Sequence, residues 1–256
     1  MPNEKRTAPS GRRLKLIVAY DGAGFSGWQS QARGDTIQDR LEAAFLQITG
    51  QQIRVHGAGR TDAGVHAFGQ CAHVDLPPNR LAPEVLAAAL NASLPAKIRV
   101  LRCSFVSKNF HARFAARGKV YRYRIATTPV FSPFELGRAW HVSGTLDDKV
   151  LRACARAFLG RHNFAGFAAN RGHAVESTMR TIRRVRVQRT PDVTAIEFDG
   201  DGFLYKMVRL MVGATVRAAL GKTTVAEVRA RLADGAPAEP RLVAPAEGLT
   251  LVRVRY

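Results

Sequence analysis

Apolar and polar positions alternate along this chain in two rhythms, one near two residues and one near 3.6, and together they mark two successive sets of strands and helices. Leu14 to Tyr20 alternates as a strand and ends at the turn Asp21-Gly22. A glycine-rich loop with Phe25, Gly27 and Trp28 follows. Thr36 is placed to cap a helix with Ile37, Leu41, Phe45 and Ile48 on one face, and Gly50 to end it. Ile53 to His56 predicts a short strand running into a second glycine-rich segment, and Gln70 to Asp75 predicts another. Pro83 suits the first turn of a helix that continues through Leu90.

The second set uses the same grammar with a different sequence. Lys119 to Ala126 alternates as a strand, with Tyr121, Tyr123 and Ile125 on one face and Val120, Arg122 and Arg124 on the other. Thr145 is expected to cap a helix carrying Leu146, Val150, Cys154 and Phe158, which Gly160 terminates. Arg184 to Arg189 sets Val185 and Val187 between arginines as a half-buried strand, and Thr194 to Asp199 pairs with it. Met207, Val208, Met211, Val212, Thr215 and Ala219 line a helix stopped at Gly221. Thr224 and Glu227 form a capping box for a last helix, and Leu249 to Tyr256 is a closing strand.

Hairpin-like strand pairs, rather than strict strand–helix alternation, predict an α+β fold. Its expected form is two similar split-βαβ (ferredoxin/RNP-like) halves, with largely antiparallel sheets flanking a central basic cleft. The boundary falls between Lys108 and Gly118, giving an N-terminal domain over 14–112 and a C-terminal domain over 113–256. Residues 1–13, polar with Pro2, Pro9 and Gly11, read as a disordered basic tail without the apolar segment of a secretory signal.

Charge narrows the function. Thirty-nine Lys and Arg stand against 20 Asp and Glu, a net charge of +19 that a solvated basic face does not explain. Nucleic acid is the natural partner, because each phosphate neutralised releases a condensed counterion. A membrane surface would call for a basic amphipathic helix or a polybasic run beside an apolar anchor, and neither is found. No apolar stretch is long enough to span a bilayer. Cys71, Cys103 and Cys154 are far apart and fit no metal spacing, which points to free thiols in a reducing, cytoplasmic setting.

The densest chemistry lies in Gly57-Ala58-Gly59-Arg60-Thr61-Asp62-Ala63-Gly64-Val65-His66. Gly57-Ala58-Gly59 invites a dinucleotide-binding reading, but Asp62 occupies the position of the third glycine and would repel a pyrophosphate. No phosphate-cradling loop ending in Gly-Lys-Ser/Thr occurs, and the seven histidines form no metal-binding helix motif. Taken alone, Asp62 would be read as a helix cap or turn residue. Its setting changes that. Arg60-Thr61-Asp62-Ala63-Gly64-Val65-His66 matches the signature of the tRNA pseudouridine synthase A family, and other landmarks follow in order. Tyr20-Asp21-Gly22 and Gly27-Trp28-Gln29 resemble that family's opening loop. Phe110-His111-Ala112-Arg113-Phe114 with Tyr121-Arg122-Tyr123 resembles its central strand. Phe203, Met207-Val208-Arg209 and Gly213 resemble its long C-terminal helix, and Ala246-Glu247-Gly248-Leu249 its final strand. The resemblance runs from about Leu14 to Tyr256. Lys206 and Thr250 depart from it at peripheral positions.

The resemblance implies an enzyme that turns uridine in RNA into pseudouridine: the C1′–N1 bond breaks, the uracil rotates, and C5 bonds to C1′. No redox change occurs, so no cofactor or metal is expected. The chemistry needs one ionised carboxylate beside the ribose, as glycosidases do, and Asp62 is the candidate. A carboxylate that stays ionised in a partly desolvated pocket should sit against a cation. By resemblance that cation is Arg209, which can grip a carboxylate through two hydrogen bonds. By the same resemblance Tyr121 stacks on the uracil and handles a proton, and Leu249 forms an apolar wall. Arg60 enters the RNA stack where the base leaves or holds its phosphate. His66 and His111 are read as structural or RNA-contacting rather than catalytic, and Arg113 is counted with the RNA-binding residues. The implied substrate is the tRNA anticodon stem-loop, modified at uridines 38, 39 and 40 by a homodimer. The alternatives are a related synthase for another structured RNA and a non-catalytic RNA-binding protein.

Overall fold

A computed structural model describes residues 11–78, 81–169, 176–234 and 243–256 of the chain. The first strand, β1 (Arg12–Tyr20), puts Leu14, Leu16, Val18 and Tyr20 into the core. It begins two residues before Leu14, so Arg12 and Arg13 belong to the strand and not to a tail. The reason is pairing: Arg13 donates to Asp75 at 2.7 Å and to the Phe110 carbonyl at 2.7 Å, and the Arg12 guanidinium lies 3.3 Å over the Phe105 ring. Residues 1–10 of the expected tail lie outside the described residues.

Thr36 caps α1 (Ile37–Thr49) through a reciprocal box with Asp39, and Gly50 closes it in the left-handed conformation. The short β2 (His56–Gly57) and the long β3 (His66–Leu76) flank the Asp62 loop. The strand expected over Ile53 to His56 is thus reduced to its last residue and the one beyond it, because only His56 and Gly57 find register partners, His73 and Ala72. Next come α2 (Pro83–Ser93), β4 (Ile98–Val106), β5 (Gly118–Ala126) and β6 (Trp140–His141). The α3 helix (Asp148–Ala157) is capped by Asp147, whose carboxylate accepts the Val150 N–H at 3.0 Å, and not by Thr145. The chain ends with β7 (Gly160–Asn163), β8 (Met179–Arg189), β9 (Val193–Gly200), α4 (Met207–Ala219), α5 (Val225–Asp234) and β10 (Leu249–Arg255). Thr224 and Glu227 form their box at the start of α5.

The fold is α+β with a largely antiparallel sheet. In place of separate sheets flanking a cleft, however, all ten strands join one sheet in the order β4-β1-β3-β10-β5-β9-β8-β7, with β2 on β3 and β6 on β5. The cause is β10. It pairs with β3 in parallel through Thr250 and Leu251, and with β5 antiparallel through Leu249 opposite Tyr123 and Leu251 opposite Tyr121. The last strand therefore holds the start of β3, just after the Asp62 loop, a strand's width on one side and Tyr121 on the other. Residues from β1, α1, α2, α3 and α4 share one continuous hydrophobic core. Among the described residues no helix is long and apolar enough to cross a membrane.

Candidate active site

Asp62 sits in a turn closed by the Val65 N–H donating to the Asp62 carbonyl at 3.1 Å. Its carboxylate makes no local capping bond. Instead Oδ2 accepts from Arg209 Nη1 at 3.1 Å across 147 residues of chain, and the side chain lines a cleft of about 980 Å³. Both partners are largely buried, with side-chain exposures of 14% for Arg209 and 20% for Asp62. Arg209 reaches Asp62 from the first turn of α4, where Met207, Val208, Leu210 and Met211 are buried around it. Its guanidinium is aimed by a second bond, from Nε to the Ala244 carbonyl at 2.7 Å, while the Ala244 N–H donates back to the Arg209 carbonyl at 3.1 Å.

The Asp62 loop is braced from below. Tyr20 and Thr61 share a buried hydroxyl–hydroxyl hydrogen bond of 2.8 Å, and the Trp28 N–H donates to the Thr61 carbonyl at 3.1 Å. Glycine is required where the loops touch. A Cβ on Gly27 would stand 2.6 Å from the Thr61 oxygen, and one on Gly57 would stand 2.4 Å from Trp28 Nε1. The same loop links to α1, since the Gly27 and Trp28 carbonyls accept the Ile37 and Gln38 N–H groups.

Tyr121 and Leu249 also line the cleft, and both are buried. The Tyr121 ring meets Phe203 edge-on at 5.1 Å. Burial, with Tyr20 and the Asp62 charge nearby, pushes the Tyr121 phenol above its usual pKa, so it stays protonated at neutral pH. Tyr123 takes the packing role: it is fully buried and donates to the Pro245 carbonyl at 2.8 Å. Arg60 lies exposed on the rim with Nε on Gln29 Oε1 at 3.1 Å, and Arg113 is exposed beside Phe114.

His66 is set back from the cleft surface in a structural position. It is buried and absent from the cleft lining; Nδ1 accepts the Gly22 N–H at 3.1 Å, and Nε2 bonds the Glu247 carbonyl at 3.0 Å. With Asp21 Oδ1 also 3.1 Å from Nδ1, these contacts make His66 a pin between the opening loop and the approach to β10. Phe203 and Lys119 are cleft residues to which the sequence reading assigned no role. For Lys119 the available signal was strand alternation, which puts it two residues from Tyr121 on the same face. Among the described residues six Lys or Arg side chains line the cleft against two carboxylates, Asp62 and Glu176. Among the described residues no group of three His, Cys, Asp or Glu side chains is arranged to hold a metal ion.

A basic cleft with one carboxylate held by one arginine is the geometry against which the comparisons with known proteins are set. The family model described as tRNA pseudouridine synthase matches residues 16–115 and 154–256, and the chain belongs to that family of isomerases. Its relatives are more particular. The chain is 45% identical over 252 residues to the tRNA pseudouridine synthase A of Akkermansia muciniphila, covering 95% of each chain. It is 43% identical to that of Methylacidiphilum infernorum, covering 94% of each, and 45% identical to that of Solidesulfovibrio magneticus, covering 95% of this chain and 91% of the relative.

Proposed function

We propose that this tRNA pseudouridine synthase acts on uridines 38, 39 and 40 of the anticodon stem-loop, with Asp62 as the carboxylate that reacts at the ribose. The observation that carries the reading is Asp62 on the wall of a basic cleft, held at 3.1 Å by Arg209. Oδ2 is held by Arg209, while Oδ1 accepts no hydrogen bond from the described residues and is available to the sugar. One carboxylate serves either route to the product, attack on C1′ or removal of a ribose proton to pass through a glycal. In both, the C1′–N1 electron pair leaves with the uracil, the ring turns and C5 bonds to C1′; the C5 proton is lost and N1 takes one up, while the Asp62–C1′ bond breaks on the first route and the ribose proton is returned on the second.

Arg209 holds Asp62 and aims it. Tyr121 packs against the uracil, and its protonated phenol can exchange a proton with the base. Leu249 closes the apolar side, and Arg60 on the rim meets the RNA stack vacated by the flipped nucleotide. Unstacking costs a few kcal/mol, which contacts of this kind offset. The enzyme works as a homodimer in the cytoplasm, with one tRNA spanning both subunits. Asp62→Ala tests the assignment: pseudouridine formation in purified tRNA is abolished while tRNA affinity changes little. Wild-type product yield from that variant would refute the role of Asp62. Carbodiimide-dependent reverse-transcription stops on tRNA and on total RNA locate the modified positions and separate this reading from a synthase for another RNA.

A further inference from the structure

Lys119 is a cation placed where the free protein gains nothing from it. It stands half-buried on β5, two residues before Tyr121 and on the same face by strand alternation, and it lines the same cleft. Among the described residues it has no hydrogen-bond acceptor and no carboxylate within ion-pair distance. Its ammonium is pressed on the Asp62 loop, where a Cβ on Gly59 would stand 2.4 Å from Nζ. Its charged neighbours are Arg113 and Arg180, both of the same sign, and both line the cleft. Burial and then these two arginines pull the Lys119 pKa down to about 8. A half-buried ammonium facing two guanidinium groups is costly until an anion arrives.

Resting on the reading of this cleft as the RNA site, we infer that Lys119, with Arg113 and Arg180, forms a subsite for one backbone phosphate next to the flipped uridine, held apart from Asp62. Three cations lining the same cleft suit a phosphodiester, and the Arg180 guanidinium is fixed there by the Ser177 and Met179 carbonyls. Asp62 already has its cation in Arg209, which leaves the Lys119 ammonium for the backbone. Gly59 is small because the ammonium occupies the space a side chain would take.

The test uses the full-length protein and a tRNA anticodon stem-loop carrying a neutral methylphosphonate at single linkages around the target uridine. Lys119→Met removes the charge at nearly constant shape. It should bind the unmodified RNA about ten-fold more weakly and give a log–log salt slope shallower by about one. It should also unfold at the same or a higher temperature than wild type, because a repelled charge is gone. One methylphosphonate should weaken wild type by the same factor and leave Lys119→Met unaffected. Gly59→Ala, which displaces Nζ without removing it, should reproduce part of the loss at that linkage alone. Wild-type affinity should fall above about pH 8 as Lys119 loses its proton, and that step should vanish in Lys119→Met. Unchanged affinity in Lys119→Met, or equal sensitivity of both proteins at every linkage, overturns the inference. All binding is repeated in the Asp62→Ala background. A wrong role for Asp62 then shows in product formation, and a wrong role for Lys119 shows in affinity.

Discussion

The Arg209 guanidinium divides its donors between Asp62 Oδ2 and the Ala244 carbonyl, a geometry that a single ammonium cannot copy. Arg209→Lys should keep the charge and lose the aim. Its turnover should fall by about a hundred-fold, the cost of misplacing a reacting group by about 1 Å, while tRNA affinity stays near wild type. Single-turnover assays beside filter binding separate the two, and an equal loss in both would make Arg209 an RNA contact instead. Tyr20→Phe is milder. It removes one buried hydrogen bond beneath Thr61, so about 1 kcal/mol of stability should be lost in denaturant titrations. Asp62 was legible in the sequence because its neighbours from Arg60 to His66 are contiguous. Lys119 was legible only as a residue on the Tyr121 face of its strand, since Gly59, which explains it, lies sixty positions away in the chain.

Among the elements, those with a sharp period and clear end signals were the readable ones. Both α1, between Thr36 and Gly50, and α4, which Gly221 follows in the left-handed conformation, match expectation. The β4 strand was missed because two successive exposed positions in its middle, Leu101 and Arg102, break the alternation, and its pairing with β1 shifts register there. The cap of α3 moved from Thr145 to Asp147 because two oxygen-bearing residues lie within a turn of each other, and local sequence does not choose between them. The Asp62 loop owes its position to the Gly57–Trp28 contact. Gly57→Ala should push the indole aside, cost about 1–3 kcal/mol by overpacking, and lower activity further by loosening the loop. Calorimetry with an activity assay reads both, and a fully active, fully stable variant would show that the contact does not matter.

His73 on β3 links the element scale to pH. Its Nδ1 accepts the buried Ala112 N–H at 3.2 Å, so the ring must be neutral. Burial, then Arg13, His111 and His56, lower its pKa from 6.5 to about 4, against the opposing pull of Asp75. The unfolded chain therefore binds a proton between pH 6.5 and 4 that the folded chain does not, and stability should fall as pH falls through that window. His73→Asn, which keeps an acceptor and cannot titrate there, should flatten the slope of unfolding midpoint against pH. An unchanged slope would assign the acid sensitivity to other groups.

For the whole molecule, the net charge of +19 and the excess of cations in the cleft make tRNA binding strongly salt-dependent. Affinity measured from about 50 to 200 mM salt should fall by orders of magnitude, and indifference to salt would contradict a phosphate-lined path. The sequence pattern conveyed the α+β class and the antiparallel bias, but not the joining of all strands into one sheet. Periodicity reports which residues are buried and says nothing of which strand edges meet.

That joining has a consequence for how the protein comes into being. Of the described elements β10 leaves the ribosome last, yet it is the seam between β3 and β5. Until it emerges, two strand edges stay open and Asp62 and Tyr121 have no common ruler to set their separation. A nascent copy still lacking β10 is thus expected to leave untouched the tRNAs crowded around its own translation.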